Sequence, residues 1–395
     1  MYKRTALITS LAVAALVVPL AAFAQDNTIK VGVIAAFSGP FADYGGQIEA
    51  GMKAYMKQHG DTVAGKKIEL ITRDTKGPAP EVAKRLAQEL ITRDHVQFLA
   101  GFGLTPNAMA VAPVVSEAKV PMVISNAATS SITTKSPYIT RVSMTIPQIA
   151  EPLAQWALKN GIKQVYTVVA DYGPGIDAES QFTRTFKEGG GEIVGSVRTP
   201  LQSPDFSAAI QRVKDAKPQA VFVFLPAGQQ GISFMKGFNE RGLAAAGIKL
   251  IATGDITDDH VLAAMGDPTL GMITAFHYSA AHKSPENEAF LKAYAAANDA
   301  KVGAPNFMAA AGYDTMHVIY EVAKKLDGNI DGDKAMAAIK GMKWMSPRGP
   351  VEIDPQTRDI DQTVYIRKVE KVGGKLENVE FDKIPDVKDP GKQGS

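Results

Sequence analysis

The pattern of apolar and polar positions alternates along the chain between short apolar runs and longer amphipathic runs. The run "IKVGVIAAF" is typical of a buried strand, and "GGQIEAGMKAYMKQHG" after it places Ile48, Met52 and Tyr55 on one face of a helix. This alternation restarts after "YITRVSM" and continues through a second series of strands and helices. It predicts an α/β fold with parallel sheets covered by helices, in two successive units.

One strand candidate ends in a run of small and hydroxylated residues, in the stretch "PMVISNAATSSIT" at 121–133. Ser and Thr are ordinary turn and helix-capping residues, and a strand-to-helix loop needs such residues. In open parallel sheets, however, ligands bind beyond the carboxyl ends of the strands. The residues by themselves leave both interpretations open. The other loops after strands share this chemistry, with few charges, which favours a neutral or singly charged organic solute over phosphate: "FSGPFADYGG", "GFGLTPN", "DYGPGID", "LPAGQQ" and "TGDITDD".

The N-terminal segment has the features of a secretory signal. A basic start, "MYKR", precedes an uncharged apolar run, and Ala22 and Ala24 have the A-x-A spacing of a cleavage site. We therefore expect a signal peptide at 1–24; an uncleaved anchor is disfavoured because the run is short and Pro19 lies near its end. Since the chain has no cysteine to carry a lipid, the expected location is the periplasm.

Charge and cysteine content exclude several classes of protein. The chain has 43 Lys and Arg and 41 Asp and Glu residues, and loss of 1–24 removes only Lys3 and Arg4, which leaves 41 of each sign. A nucleic-acid binder would show a basic excess, so no nucleic-acid partner is expected. The absence of cysteine excludes thiolate catalysis, Cys-ligated metals and disulfides. The length indicates about two domains.

The chain offers little support for catalysis or for a cofactor. "GFGLTPN" lacks the third glycine of a dinucleotide loop, and no serine lies in a nucleophile elbow. "GDITDDH" gathers Asp255, Asp258, Asp259 and His260, which suggests a metal site, but Thr257 or Asp258 as a helix N-cap is the simpler interpretation. Asp255 lies at the strand end itself and is expected to face a cleft. No cofactor, no metal and no enzymatic activity are predicted.

Beyond the signal segment, the whole chain resembles type I periplasmic solute-binding proteins of the leucine/isoleucine/valine class, the receptors of ABC importers. The resemblance rests on five motifs in order: "KVGVIAAFSGPFADYGGQIEAGMKAY", "NAATSS", "VVADYGPG", "GYDTMHVIYEVAKKL" and "SPRGPVEID". It implies two Rossmann-like lobes with parallel sheets, joined by a three-crossover hinge near 141–143, 277–279 and 348–350. The boundaries that it implies are 26–142 plus 278–346 for the N-terminal lobe, 143–277 plus 347–375 for the C-terminal lobe, and 376–395 for a surface tail.

The resemblance also implies a set of ligand contacts. In the family, a Ser or Thr after the third strand and an Ala-x-Thr pattern after the fourth hold the ligand's carboxylate; Thr105, Ala127 and Thr129 match them here. Hydroxyl and N–H donors suit a buried carboxylate because they satisfy it without a counter-charge. The aromatic rings that close on the ligand from the two lobes match Tyr44 and Tyr172.

Further positions bear on which solute is bound. Asp255 matches the acid that receives the ammonium group of an amino acid, which favours a branched-chain or related amino acid. A family tyrosine is replaced near Ala227, and the larger pocket, with Phe102 or Phe276 nearby, would also suit an aromatic carboxylate of the benzoate or hydroxycinnamate type. The disulfide that is common in the family's first lobe is absent.

The resemblance implies that the two lobes close on one small carboxylate solute and that the closed protein, a monomer, docks on an ABC permease in the inner membrane. Two alternatives stay open. An exported α/β enzyme would turn its ligand over, and a periplasmic sensor would present it to a receptor.

Overall fold

The computed structural model describes residues 27–202 and 205–392, and in these ranges the chain forms two lobes, each built around its own sheet. The predicted signal peptide lies outside the described residues. Within them, every helix is too short or too polar to cross a membrane. The sheets are dominated by parallel pairs, which confirms the α/β fold class.

The first lobe contains a six-stranded sheet. Its strands are β1 (Thr28–Ala35), β2 (Thr62–Val63), β3 (Lys66–Asp74), β4 (Phe98–Gly101), β5 (Met122–Ile124) and β6 (Ile139–Arg141). Their spatial order is β2-β3-β1-β4-β5-β6, and only the β2–β3 pair is antiparallel. The central strands are buried along almost their whole length, as expected for strands covered on both faces.

Helices from two parts of the chain cover this sheet. Two of these helices, Ala42–His59 and Phe307–Lys325, pack closely because each has a glycine at the contact. A Cβ at Gly51 would lie 1.8 Å from the Ala309 carbonyl oxygen, and one at Gly312 would lie 2.1 Å from that of Ile48. The helices are α1 (Ala42–His59), α2 (Pro80–Thr92), α3 (Thr105–Ala118), α9 (Pro285–Ala297), α10 (Phe307–Lys325) and α11 (Gly332–Ile339).

The second lobe contains a nine-stranded sheet. Its strands are β7 (Gln164–Ala170), β8 (Glu192–Thr199), β9 (Ala220–Phe224), β10 (Lys249–Thr253), β11 (Ile273–Phe276), β12 (Lys343–Ser346), β13 (Gly349–Ile353), β14 (Ile360–Val372) and β15 (Lys375–Val387). The order is β12-β13-β14-β11-β10-β9-β7-β8, with β15 paired to β14. Strands β7 to β11 are parallel, and the last four add antiparallel pairs. Its helices are α4 (Ile146–Lys159), α5 (Gly173–Glu188), α6 (Ser207–Ala216), α7 (Gln229–Glu240) and α8 (Leu262–Met265).

The chain passes between the two sheets after β6, after β11 and before β12. The predicted lobe boundaries stay predictions, with one difference: β12 precedes the predicted boundary at 346 but is hydrogen-bonded in the second sheet. Buried arginines lie beside the crossings. Arg141 is paired with Asp359, and the Arg348 guanidinium lies 3.2 Å from the Asp314 carboxylate.

The polar stretch near the C-terminus is a strand where the sequence predicted a surface tail at 376–395. Strand β15 pairs with β14 in a hairpin that begins at the pair Val372 and Lys375. Gly373 and Gly374 form the two-residue turn, with φ of 56° and 84°, and a type I′ turn requires positive φ at both positions. The strand is polar because it lies at a solvent-exposed edge, and this polarity concealed it in the sequence.

Candidate ligand-binding site

Two threonines lie at the carboxyl edge of the first sheet, beneath the first turn of α5 from the second lobe. Thr105 begins α3, and Thr129 follows β5 in the loop "NAATSS". A Cβ atom at Gly173, the first residue of α5, would lie 2.3 Å from Thr129 Oγ1 and 3.3 Å from Thr105 Cγ2. The two lobes therefore meet at these side chains.

Both threonine hydroxyls are buried without a hydrogen-bond partner. A buried polar group left unpaired costs about 1–3 kcal/mol. Since buried polar groups in native proteins are usually paired, the two hydroxyls are a reason to look for a ligand at this position.

The loop that carries Ala127 and Thr129 is held from behind. The Ala127 N–H donates to the Phe102 carbonyl at 2.8 Å, and Arg141 Nη1 donates to the carbonyls of Ala127 and Thr129 at 2.7 and 2.9 Å. The Ala127 peptide groups thus have partners inside the protein. The assignment of Ala127 to the ligand stays a prediction, which now rests on its small side chain.

Phe102 has a backbone conformation that residues other than glycine rarely adopt. Its φ is 59°, and such conformations cost of order 1–3 kcal/mol and cluster at functional sites. Its side chain is fully buried in the apolar core, so its assignment as a ring that borders the ligand stays a prediction. The next residue, Gly103, makes room for Tyr44: a Cβ there would lie 2.8 Å from Tyr44 Cδ2.

The two predicted aromatic residues, Tyr44 from α1 and Tyr172 at the start of α5, lie in one electrostatic environment with Asp255. Burial is the main cause that raises the pKa of both phenols well above the ordinary value. The charge of Asp255 raises both further, whereas a contact with the Ala227 backbone acts in the opposite direction on Tyr44. Tyr172 stacks on Phe224 at 6.1 Å between ring centroids.

Asp255 is a buried carboxyl group in the 3-10 turn that follows β10, with 5% of its surface exposed. Its Oδ2 atom has no hydrogen-bond partner. Burial raises its pKa to about 7, although the Thr253 hydroxyl and the positive charge of Arg367 oppose this shift. Phe276 lies against the preceding residue, since a Cβ at Gly254 would be 2.3 Å from Phe276 Cγ. Asp255 therefore titrates near neutral pH in the closed lobes.

Of the two expected N-caps, Asp258 makes capping contacts: its Oδ1 accepts the His260 N–H at 2.7 Å and its carbonyl accepts the Leu262 N–H at 2.9 Å, in the turn that leads into α8. Thr257 does not, since its Oγ1 donates to Asn378 Oδ1. Asp258 is also buried, and its second oxygen accepts a hydrogen bond at 2.8 Å from Asn306 of the first lobe. Burial raises its pKa to about 8. The capping contact follows from the local pattern, whereas the contact with Asn306 joins the two lobes and cannot be read from it.

Sequence reasoning missed two polar residues of the site region. Asn126 Nδ2 donates to the Gly103 carbonyl at 2.7 Å, while its Oδ1 is buried without a partner. Thr253 Oγ1, at the end of β10, is also buried, and its contact with Asp255 lacks the geometry of a full hydrogen bond. Thr253 is the last residue of β10, so a search of the final residue of each strand would have found it. Asn126 lies two residues after β5, in a loop that the sequence analysis selected without assigning this side chain a role.

Two lobes with their own sheets, three crossings between them and buried polar atoms without partners on both lobes are the features expected of a type I solute-binding protein. The sequence model of the periplasmic binding protein family matches residues 28–375. The chain belongs to this family, which acts as the substrate-binding component of ABC transporters and implies a periplasmic location. Family members bind solutes rather than convert them. The resemblance that the sequence analysis identified is thus confirmed.

Several individual proteins are similar over nearly the whole chain. A relative from Brucella melitensis, described as Leu/Ile/Val-binding protein homolog 6, is 47% identical over 98% of this chain and 99% of its own. A solute-binding protein of an ABC transporter from Rhodopseudomonas palustris BisB5, solved with 3,4-dihydroxybenzoic acid, is 54% identical with a TM-score of 0.89, and the match covers 93% of this chain and 99% of that one. One from Rhodopseudomonas palustris HaA2, solved with p-hydroxybenzoic acid, is 47% identical with a TM-score of 0.91, over 93% and 100% of the two chains.

Proposed function

We propose that this protein is the periplasmic receptor of an importer for hydroxylated aromatic carboxylates of the hydroxybenzoate type. The observation that carries the proposal is a set of buried polar atoms without partners on both lobes: the hydroxyls of Thr105 and Thr129 on the first, and the Asp255 carboxyl on the second. Tyr44 and Tyr172 lie close to Asp255. The site thus combines hydrogen-bonding groups with aromatic walls, as pockets for small organic ligands do.

The threonine pair suits the carboxylate of the ligand. Two hydroxyl donors, together with the first turn of α5, offer hydrogen bonds and the positive end of a helix dipole without a cationic side chain. Hydrogen bonds to a charged group contribute about 1.5–3 kcal/mol each. The ligand would thereby satisfy the two hydroxyls that the closed lobes leave unpaired.

Asp255 suits a ring hydroxyl of the ligand. An ionised carboxylate beside an aromatic acid would repel it, and this argument favoured an amino acid when only the sequence was considered. With a pKa of about 7, however, Asp255 is largely protonated below that pH and repels a carboxylate ligand little. Its carboxyl oxygen can still accept a hydrogen bond from a phenol. The relatives solved with hydroxylated benzoates support this choice.

A calorimetric panel tests the ligand class. We expect 4-hydroxybenzoate and 3,4-dihydroxybenzoate to bind with dissociation constants of about 1 μM or below, benzoate to bind more weakly because it lacks the hydroxyl, and leucine, isoleucine and valine to leave the protein unchanged. Thermal shifts provide an independent measurement, since a ligand that binds only the native state raises the melting temperature. Binding of leucine with no response to any benzoate would contradict the proposal.

A branched-chain amino acid is the second candidate, because the same free oxygen of Asp255 could receive an ammonium group. The Brucella relative carries a name of that class. An ammonium would favour the ionised carboxylate, so binding near pH 6 would release a proton from Asp255. We therefore expect Asp255→Asn to abolish binding of an amino acid but to change hydroxybenzoate affinity by less than about fivefold, since an amide oxygen still accepts the phenol.

Transport follows from closure of the lobes. A ligand that contacts both lobes only in the closed form shifts the population toward that form by its differential affinity. An ABC permease is the implied partner that recognises the closed protein, and a monomer is the oligomeric state that we propose.

A further inference from the structure

The segment 388–392, which we call the C-terminal strap, lies against the loop that carries Thr129. It continues from the second sheet after β15, yet Asp389 and Lys392 also contact the first lobe. Ser130 Oγ donates to Asp389 Oδ2 at 2.5 Å, and Lys392 Nζ donates to Thr133 Oγ1 at 2.6 Å. The strap therefore joins the lobes by side-chain contacts, in addition to the three passages of the main chain.

The strap also contacts residues 126–131, which we call the ligand loop, through a second set of side chains. Lys392 is paired with Asp359, and Asp359 Oδ1 accepts hydrogen bonds from Arg141 at 2.9 Å (Nε) and 2.6 Å (Nη2). The same guanidinium donates to the carbonyls of Ala127 and Thr129. A continuous set of contacts thus runs from Lys392 to the peptide groups on either side of Ala128.

These charges are buried and balance one another. The Arg141 and Asp359 side chains have 0% and 2% of their surface exposed, and Lys392 and Asp389 have 8% and 1%. In such surroundings, removing one partner leaves a charge unpaired, which is far more costly than losing an exposed ion pair. The neighbouring backbone must then move to let water in.

The strap meets the ligand loop where the second lobe covers it. The Ser130 N–H donates to Asp177 Oδ2 of α5 at 2.9 Å, and a Cβ at Gly391 would lie 2.7 Å from Ser130 Oγ. Burial raises the pKa of Asp177. Ser130 is thus held by both the strap and α5, directly beside Thr129.

We propose that Asp389 and Lys392 are positioning residues for ligand binding: the strap holds the loop so that the Thr129 hydroxyl faces the ligand. The strap contacts Ser130 and Thr133 directly. It also acts through Asp359, which pairs with Lys392 and orients the Arg141 guanidinium that binds the loop carbonyls. This role goes beyond the proposed function, because it requires only that the loop contacts the ligand and not that the ligand is a hydroxybenzoate.

The test compares three variants of the full chain by calorimetry with 4-hydroxybenzoate. Lys392→Met removes the buried charge, Lys392→Arg keeps it, and Lys388→Met is the matched control, because Lys388 belongs to the same strap but pairs with Asp354 and Asp361. We expect the dissociation constant to rise roughly tenfold or more in Lys392→Met, in line with other residues that orient a binding group, and to stay within about threefold of the wild type in the other two. Equal affinity in all four proteins would overturn the proposal, as would an equal loss in Lys388→Met.

Hydrogen exchange of the ligand-free proteins separates this proposal from that of the ligand. We expect the amides of 126–133 to exchange faster in Lys392→Met than in Lys388→Met, because loosening the loop exposes its hydrogen bonds. If the wild type binds no benzoate, the proposed ligand is wrong. Hydrogen exchange of the ligand-free proteins then tests by itself whether the strap holds the loop. Identical exchange of 126–133 in the two variants would overturn it.

Discussion

At the scale of single residues, the site is distinguished by polar atoms that the protein leaves without partners. Thr105 Oγ1, Thr129 Oγ1 and Asp255 Oδ2 are all buried and unpaired. Each lowers the stability of the ligand-free closed form, and each can be satisfied by a solute. The same atoms thus lower the stability of the ligand-free protein and provide hydrogen bonds for a ligand, a combination that is common at functional sites.

Thr129→Val should separate binding from stability. The valine side chain has nearly the same shape but no hydroxyl, so the variant loses a hydrogen bond to the ligand and also loses an unpaired buried group. We expect the dissociation constant for 4-hydroxybenzoate to rise about tenfold or more, while the free energy of unfolding of the ligand-free protein is unchanged or rises by about 1 kcal/mol. Calorimetry and chemical denaturation measure the two quantities.

The control is Thr62→Val, which changes an exposed threonine on β2 far from the cleft. It should alter neither quantity. Unchanged affinity in Thr129→Val would remove the threonine from the site.

The loops that carry the candidate site residues were predictable from the sequence. The rule that ligands bind beyond strand ends selected the loops that carry Thr105, Thr129, Tyr172 and Asp255. The family resemblance singled out these residues within the loops, and their contact with a ligand stays a prediction. The protonation behaviour of Asp255 was not predictable, because its raised pKa results from burial by residues distant in sequence. This difference in charge changed which ligand we favour.

At the scale of elements, the first turn of α5 acts as the cover of the site. Gly173 approaches Thr129 so closely that no side chain fits between them. The segment "DYGPG" therefore needs glycine at this position for a steric reason that appears only when the lobes meet.

Gly173→Ala should hinder closure without unfolding either lobe. The added Cβ would meet Thr129 Oγ1 at 2.3 Å, which is well inside normal contact distance. We expect weaker binding by about tenfold or more, because even small misplacement of a binding group is costly. Small-angle scattering should show a reduced contraction on adding ligand.

The matched control is Gly46→Ala in α1, where a Cβ would have no neighbour within 4 Å. That variant should keep its affinity and gain about 0.5–1 kcal/mol of stability from the better helix former. Full contraction of Gly173→Ala at wild-type ligand concentrations would contradict the role of this glycine.

At the scale of the whole molecule, the hinge interior is crowded with buried basic groups. His277, at the second crossing, is fully buried, and neither of its ring nitrogens has a partner. Burial, together with the charges of Arg348 and Arg367, lowers its pKa well below the usual value. The imidazole is therefore neutral in the folded protein at pH values where it would be charged in the unfolded chain.

This difference predicts a pH dependence of stability. Because the unfolded chain binds a proton on His277 below about pH 6.5 and the native state does not, the free energy of unfolding should fall as the pH drops from about 6.5 toward 5. In His277→Leu that part of the decrease should disappear, whereas the exposed control His95→Asn should retain it. Denaturation at a series of pH values measures both slopes, and equal slopes in the two variants would refute the prediction.

The sequence by itself determined the order of strands and helices, the α/β class and the family, because these depend on local periodicity and on motifs in order along the chain. Only the tertiary structure showed that the polar segment after Val372 is an edge strand whose continuation contacts the loop that carries Thr129, and that burial raises the pKa of Asp255 to about 7. Both depend on groups far apart in sequence: strand pairing at a sheet edge needs a partner, and a pKa depends on how much water the rest of the fold removes.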